Sequence, residues 1–230
     1  MSRLELRAAS FRPTAEGPVV LHPTTLELTE QRVALIGANG SGKSTLARML
    51  NGLVPASSGQ VLVDGLDVAR EGGSVRRRVG FAFSDPSAQL VMPTVLEDVA
   101  LSLRRTHRNK KERRAAALAT LESFGLGGRG DQSVHTLSGG QRQLLALAGV
   151  LATSPAVLVA DEPTTLLDLG NSLRIGELLF SLEQQLVLVT HDLDLAARCD
   201  RALVIDAGRV VHDGPAPAAV EHYRVLAGAR

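Results

Sequence analysis

The sequence predicts an α/β protein with a parallel-sheet core, an antiparallel sheet in its N-terminal third and a helical lobe in the middle. Three observations predict this. Short apolar, β-branched runs recur at 32–37 (RVALIG), 156–161 (AVLVAD), 185–191 (QLVLVTH) and 201–206 (RALVID). The first three each lead through a polar turn into helical spacing, as buried parallel strands with covering helices do. The stretches LELRAASF, LHPTTLELTE and GQVLVDGLDV, with Gly and Pro at their turns, read as antiparallel strands. From about Leu96 to Phe124 the spacing is helical, until the Gly-rich GLGGRGD at 125–131 breaks it. After Gly214 only a short tail follows, and no internal repeat or low-complexity linker appears. Residues 1–230 therefore read as a single domain.

Composition narrows the function classes. With 44% hydrophobic and 21% charged residues the chain is an ordinary globular protein, long enough at 230 residues to bury a full core. Aromatic residues make up 3% with no Trp, and the formal net charge is +1, so neither a base-stacking platform nor a basic coat for nucleic acid is expected. Charge is nonetheless concentrated. The run RRTHRNKKERR, Arg104 to Arg114, holds seven of the 25 Lys and Arg and one of the 24 Asp and Glu, leaving the rest of the chain at −5. It reads as a solvated helix entry, or as a docking patch for a partner or anionic lipid head groups. Cys199 is the only cysteine, which fits a reducing cytoplasm and packing as a small hydrophobe. MSRLELRAAS lacks an apolar signal region, and no window approaches the ~18 apolar residues of a membrane span, so any membrane role is expected to be peripheral.

The strongest motif is GANGSGKST, comprising Gly37, Ala38, Asn39, Gly40, Ser41, Gly42, Lys43, Ser44 and Thr45. It follows an apolar strand and opens a helix, the context that G-x-x-x-x-G-K-[ST] requires. Glycines let successive backbone N–H groups converge on phosphate oxygens, and the helix N-terminus adds partial positive charge. Lys43 can reach the β- and γ-phosphates, and the Ser44 hydroxyl is placed to ligate Mg²⁺.

VLVADEP puts Asp161 and Glu162 at the carboxyl end of a buried strand, the edge where ligands bind in such sheets. Asp161 suits an outer Mg²⁺-holding role, and Glu162 can orient or deprotonate an attacking water. LVLVTHD ends another strand at His191, where an imidazole can hydrogen-bond a phosphate oxygen and position that water. LSGGQRQ adds a second anion-binding helix start at Ser138, Gly139, Gly140 and Gln141. Two phosphate-binding edges on one chain are economically explained by a head-to-tail pairing in which this edge caps the nucleotide on a partner's P-loop, with two such sites in one two-fold interface.

With these motifs in this order the sequence resembles the ATP-binding cassette family over nearly its whole length. Walker A is GANGSGKST, the signature LSGGQ, Walker B VLVADE, the D-loop LLD ending at Asp168, and the switch histidine His191. The resemblance implies a P-loop NTPase ABC ATPase fold: a RecA-like parallel-sheet core, an N-terminal antiparallel β-subdomain and a helical signature subdomain at about 86–150. It also implies ATP and Mg²⁺ as ligands and a homodimer that sandwiches two nucleotides.

LNGLVPASSGQVLVDGLDV and VGFAFSDPSAQLVMPTVLEDVALSL resemble the ATPase subunits of energy-coupling-factor importers for vitamins and transition-metal ions. That likeness implies a motor at the cytoplasmic face of the inner membrane, partnered by a transmembrane energy-coupling subunit and a substrate-binding membrane subunit. The absence of a long C-terminal extension favours the biotin type over the cobalt/nickel type. The loop FSDPSAQL is implied to couple nucleotide chemistry to the membrane partner through Ser84 and Gln89, with Asp168 of the D-loop as a further coupling residue.

The sequence departs from the family pattern twice. Ser84 stands where the Q-loop glutamine directly follows Phe83, so its metal contact needs a bridging water. Pro13 stands where an aromatic residue stacks on adenine, and Phe11 is the nearby substitute. The alternatives are another ABC transporter class or a soluble ABC ATPase. A DNA-repair cassette needs a long coiled coil, a ribosome-acting one needs two cassettes, and a P-loop kinase or GTPase has no place for LSGGQ.

Overall fold

The computed structural model describes residues 1–229. Two sheets carry the chain. In the first, β1 (Leu4–Phe11), β2 (Leu21–Leu28), β4 (Ser58–Val63) and β5 (Leu66–Asp67) lie in the order β2-β1-β4-β5, with the neighbouring pairs antiparallel. Leu4, Leu6 and Ala9 point to the buried side, and register shifts around Ala8, whose φ is +48°, bend β1.

The second sheet contains β3 (Arg32–Ile36), β6 (Val79–Ala82), β7 (Val157–Asp161), β8 (Gln185–Val189), β9 (Arg201–Asp206) and β10 (Arg209–Pro215), in the order β10-β9-β3-β8-β7-β6. β9, β3, β8 and β7 run parallel, and β10 returns antiparallel on β9. Every residue of β3, β7 and β8 is buried, so these strands read as continuous apolar runs rather than alternating ones. Each large aliphatic buried there contributes about 1.5–3 kcal/mol, and Leu188→Ala is expected to cost about 2–5 kcal/mol. Around this sheet α1 (Lys43–Asn51) packs on β7 and β8, α7 (Leu193–Ala197) on β3, and α8 (Ala216–Gly228) on β9.

The chain forms two compact units. One comprises residues 1–81, 156–162 and 182–230, and the other 82–155 and 163–181. The first holds both sheets apart from Ala82. It also contains α2 (Gly72–Arg78), capped by Val79 in extended conformation. The second holds α3 (Val95–Ser102), α4 (Lys110–Ser123), α5 (Gly139–Leu151) and α6 (Leu169–Ser181). The helical stretch read from 96 to 124 is thus two helices. Thr94 caps α3 and Asn109 caps α4, each side chain accepting from a backbone N–H of its own first turn. Buried Asp98 braces the entry, its Oδ1 accepting from Val91 N (2.9 Å) and Met92 N (3.0 Å). Among the described residues no helix is long and apolar enough to cross a membrane.

Candidate nucleotide site

The loop 37–42 leaves β3 and enters α1 through Gly42, whose φ is +106°. A Cβ at Gly42 would stand 2.9 Å from the Val20 carbonyl, so both the turn and the close approach require glycine. No side chain caps α1, which leaves its N-terminal N–H groups available to an anion. Lys43 is buried, and its ammonium donates to the carbonyls of Gly37 (3.0 Å) and Ala38 (2.9 Å). Burial lowers its pKa from the ordinary lysine value, against the opposing pull of the Glu162 and Asp161 carboxylates. The lysine is therefore folded into the loop, close to both acids, with its charge available to phosphate oxygens. Ser41 also turns a buried hydroxyl without a partner into this loop.

β7 delivers the acids. Asp161 is 1% exposed and ends the strand beside β8. Its Oδ1 accepts from the Ser44 hydroxyl at 2.7 Å and its Oδ2 from Arg48 Nη2 at 3.2 Å. A hydroxyl and a carboxylate this close form a hard-oxygen pair that fits Mg²⁺, which takes one or two protein oxygens and completes its shell with phosphates and water. Sequence reasoning missed Arg48. Its signal is its spacing: Ser44 and Arg48 stand four apart on α1 and so share one face.

Glu162 follows with φ +53°, an uncommon conformation for a non-glycine residue and one found where a fold over-determines a functional position. Its backbone N–H donates to Val189 O at 2.9 Å, tying the end of β7 to the end of β8. Two residues beyond β8, His191 Nδ1 lies 2.6 Å from Glu162 Oε2. An ionised carboxylate only accepts, so Nδ1 carries the proton and Nε2 is left for other chemistry. P-loop, Asp161, Glu162 and His191 thus meet at the carboxyl edge of three adjacent strands, in the order β3-β8-β7.

The other sequence-assigned residues lie in the second unit. Ser138 caps α5: its Oγ accepts from Gln141 N at 3.3 Å, while Gln141 Oε1 accepts from Ser138 N at 3.0 Å. Gly140 packs against Asn171, and a Cβ there would come within 2.4 Å of that side chain. Asn171 in turn donates from its backbone and side chain to Asp168 (2.9 and 2.7 Å), and these bonds hold the Asp168 carboxyl below its ordinary pKa. Gln89 donates to Ala146 O of α5 at 2.9 Å. The loop is thereby pinned to the signature helix.

Ser84 lines a small cavity of about 70 Å³ with Gly139, Gln143 and Leu167, into which the buried Gln143 Nε2 brings an unpartnered donor. Pro13 is exposed, whereas Phe11, half-buried at the end of β1, bonds through its carbonyl to Val20 N.

Residues 21–165 match the family described as ABC transporter. The chain belongs to the ABC transporter family. Its fold is that of the ABC ATPases, and as a cassette of this family it is an ATP-binding, ATP-hydrolysing transporter subunit. This cassette is 42% identical over 209 residues to the biotin transport ATP-binding protein BioM of Rhizobium etli, covering 91% of this chain and 93% of that one. Its structure is similar to cbiO1 of Clostridium perfringens, part of the ABC transporter complex cbiONQ, with a TM-score of 0.83, 31% identity and coverage of 98% and 93%. It is also similar to the dimeric cassette MJ0796 in a post-hydrolysis state with ADP and Pi, with a TM-score of 0.80, 29% identity and coverage of 92% and 98%.

Proposed function

We propose that this ABC cassette is the ATP-hydrolysing motor of an energy-coupling-factor importer, with biotin favoured as the transported compound over cobalt or nickel. It acts as a homodimer, peripheral on the cytoplasmic face of the inner membrane. It is held there by a transmembrane energy-coupling subunit that also engages a substrate-binding membrane subunit. Residues 1–230 act as one ATPase domain with its helical subdomain at about 86–150.

The observation that carries the chemistry is the hydrogen bond from His191 Nδ1 to Glu162 at the edge where Lys43 and the Ser44–Asp161 pair also stand. Gly37 to Thr45 receive the phosphates of ATP, and Lys43 exchanges its loop carbonyls for phosphate oxygens. Ser44 and Asp161 would hold Mg²⁺, which would supply electrostatic stabilisation of the phosphate charge. Glu162 takes a proton from the attacking water as the water oxygen bonds to the γ-phosphorus and the bond from that phosphorus to the β–γ bridging oxygen breaks, releasing ADP and phosphate. His191 keeps that carboxylate aimed through Nδ1 and turns Nε2 to the phosphoryl group. Ser138, Gly139, Gly140 and Gln141 of a second copy close over the same nucleotide. Loss of the γ-phosphate removes the contacts that bridge the two chains.

Likeness to BioM and to cbiO1 supports the transporter class, and likeness to BioM supports the vitamin reading. The exposed cationic run from Arg104 to Arg114 supports docking to a membrane partner. Six of its seven basic side chains are exposed, and the seventh, Arg113, donates to the His107 carbonyl. The test is to co-express the chain with its membrane partners, purify the complex and identify the bound small molecule. Biotin in the complex, with ATP-dependent biotin uptake in vesicles, is the expected result. A bound metal ion, or no membrane partner, contradicts the reading.

A further inference from the structure

We propose that Arg48 is a positioning residue that competes with the metal for Asp161, holding the carboxylate until metal and nucleotide arrive and then yielding it. The proposal rests on the reading that Ser44 and Asp161 hold the metal. Asp161 is 1% exposed, and a buried carboxylate without a cation is costly. The cation that faces it is Arg48, whose Nη2 reaches Oδ2 at 3.2 Å while Ser44 serves Oδ1 at 2.7 Å.

Two features mark the contact as one made to be exchanged. It is a single bond and not a bidentate fork, and Arg48 Nε is buried with no partner, so the guanidinium is only partly satisfied. The Arg48 side chain is also 41% exposed, so water can solvate it as it lets go, whereas Asp161 has no such freedom. Lys43 follows the same pattern, its ammonium resting on the Gly37 and Ala38 carbonyls. Lys43 and Asp161 thus each have a partner within the chain.

An incoming divalent cation must displace Arg48 from Asp161, so the arginine lowers metal affinity and raises affinity for nucleotide without metal, because it shields phosphate from the acid. Both effects act on one number, the ratio of nucleotide dissociation constants in EDTA and in Mg²⁺. That ratio is measured by equilibrium titration with a non-hydrolysable fluorescent ATP analogue, so turnover plays no part.

Arg48→Gln is expected to raise the ratio roughly three- to fivefold, the size of a partly exposed ion pair, and Arg48→Lys to stay within about twofold of the parent. Asp161→Asn is expected to bring the ratio close to unity. A purely structural role for Arg48 weakens binding equally in both conditions and leaves the ratio unchanged, which overturns the proposal. A lower ratio for Arg48→Gln overturns it as well. If Asp161→Asn leaves the parent ratio intact, the metal reading itself fails and the proposal fails with it.

Discussion

His191 Nδ1 stands 2.6 Å from Glu162 Oε2, across the carboxyl ends of two adjacent parallel strands. On the proposed function the contact joins the base to the residue that aims it, and neither strand could supply it alone. Glu162→Gln keeps the shape and removes the proton acceptor, so steady-state ATPase should fall by at least about 10²-fold while ATP binding persists. His191→Ala should lower kcat by roughly 10²-fold with a smaller change in KM for ATP. Wild-type turnover in Glu162→Gln removes Glu162 as the base.

Lys43→Ala should abolish detectable nucleotide binding in an equilibrium titration, because the proposed cradle loses its buried ammonium. Unchanged ATP affinity contradicts the cradle.

Gly140→Ala should lower stability by about 1–3 kcal/mol, since the added methyl meets Asn171 at 2.4 Å. Thermal unfolding checks it. Adding Asn171→Ala should recover much of the loss, and no recovery would show that the two positions are uncoupled.

Much of the site was legible before the fold was known, and the reasons are particular. Glycines at 37, 40 and 42 beside Lys43 and Ser44 announce backbone conformations and charges that only a phosphate loop needs. Arg48 was not legible, because an arginine inside a helix reads as a surface charge until β7 places Asp161 against it. The left-handed backbone of Glu162 leaves no mark in residue type. In the fold, buried strands such as β3, β7 and β8 declared themselves by continuous apolar runs. The short tail that follows Gly214 in the sequence is helix α8, with Pro215 at its N-cap position and Pro217 in its first turn.

Cys199 reports on the fold independently of the site. Burial, with help from Asp200, pushes its thiol up to about 12 from 9.0. A raised pKa means that the folded state holds the proton more tightly. That contribution is fully present below about pH 9 and is lost as pH rises toward 12. Iodoacetamide at pH 8 should therefore modify the native chain at least about 10²-fold more slowly than the urea-unfolded chain. Equal rates contradict the burial.

If Ser84 acts on the metal through a water, as the family resemblance implies, Ser84→Gln should raise Mg²⁺-dependent ATPase or its stimulation by the membrane partner. Gln89→Leu should cost about 1 kcal/mol through the lost bond to Ala146 O, and should weaken partner stimulation more than basal turnover. If Ser84→Gln changes neither quantity, the loop serves only for docking.

The central claim is that each ATP is hydrolysed between two copies of this chain, the P-loop of one facing the signature helix of the other. Mixing Lys43→Ala chains with Ser138→Glu chains tests it most directly, because each variant alone lacks one half of every site. The account predicts two inactive homodimers and, after mixing in equal amounts, recovery of up to about a quarter of wild-type ATPase, one intact site in each mixed dimer. No recovery, with mixed dimers demonstrably formed, would contradict it.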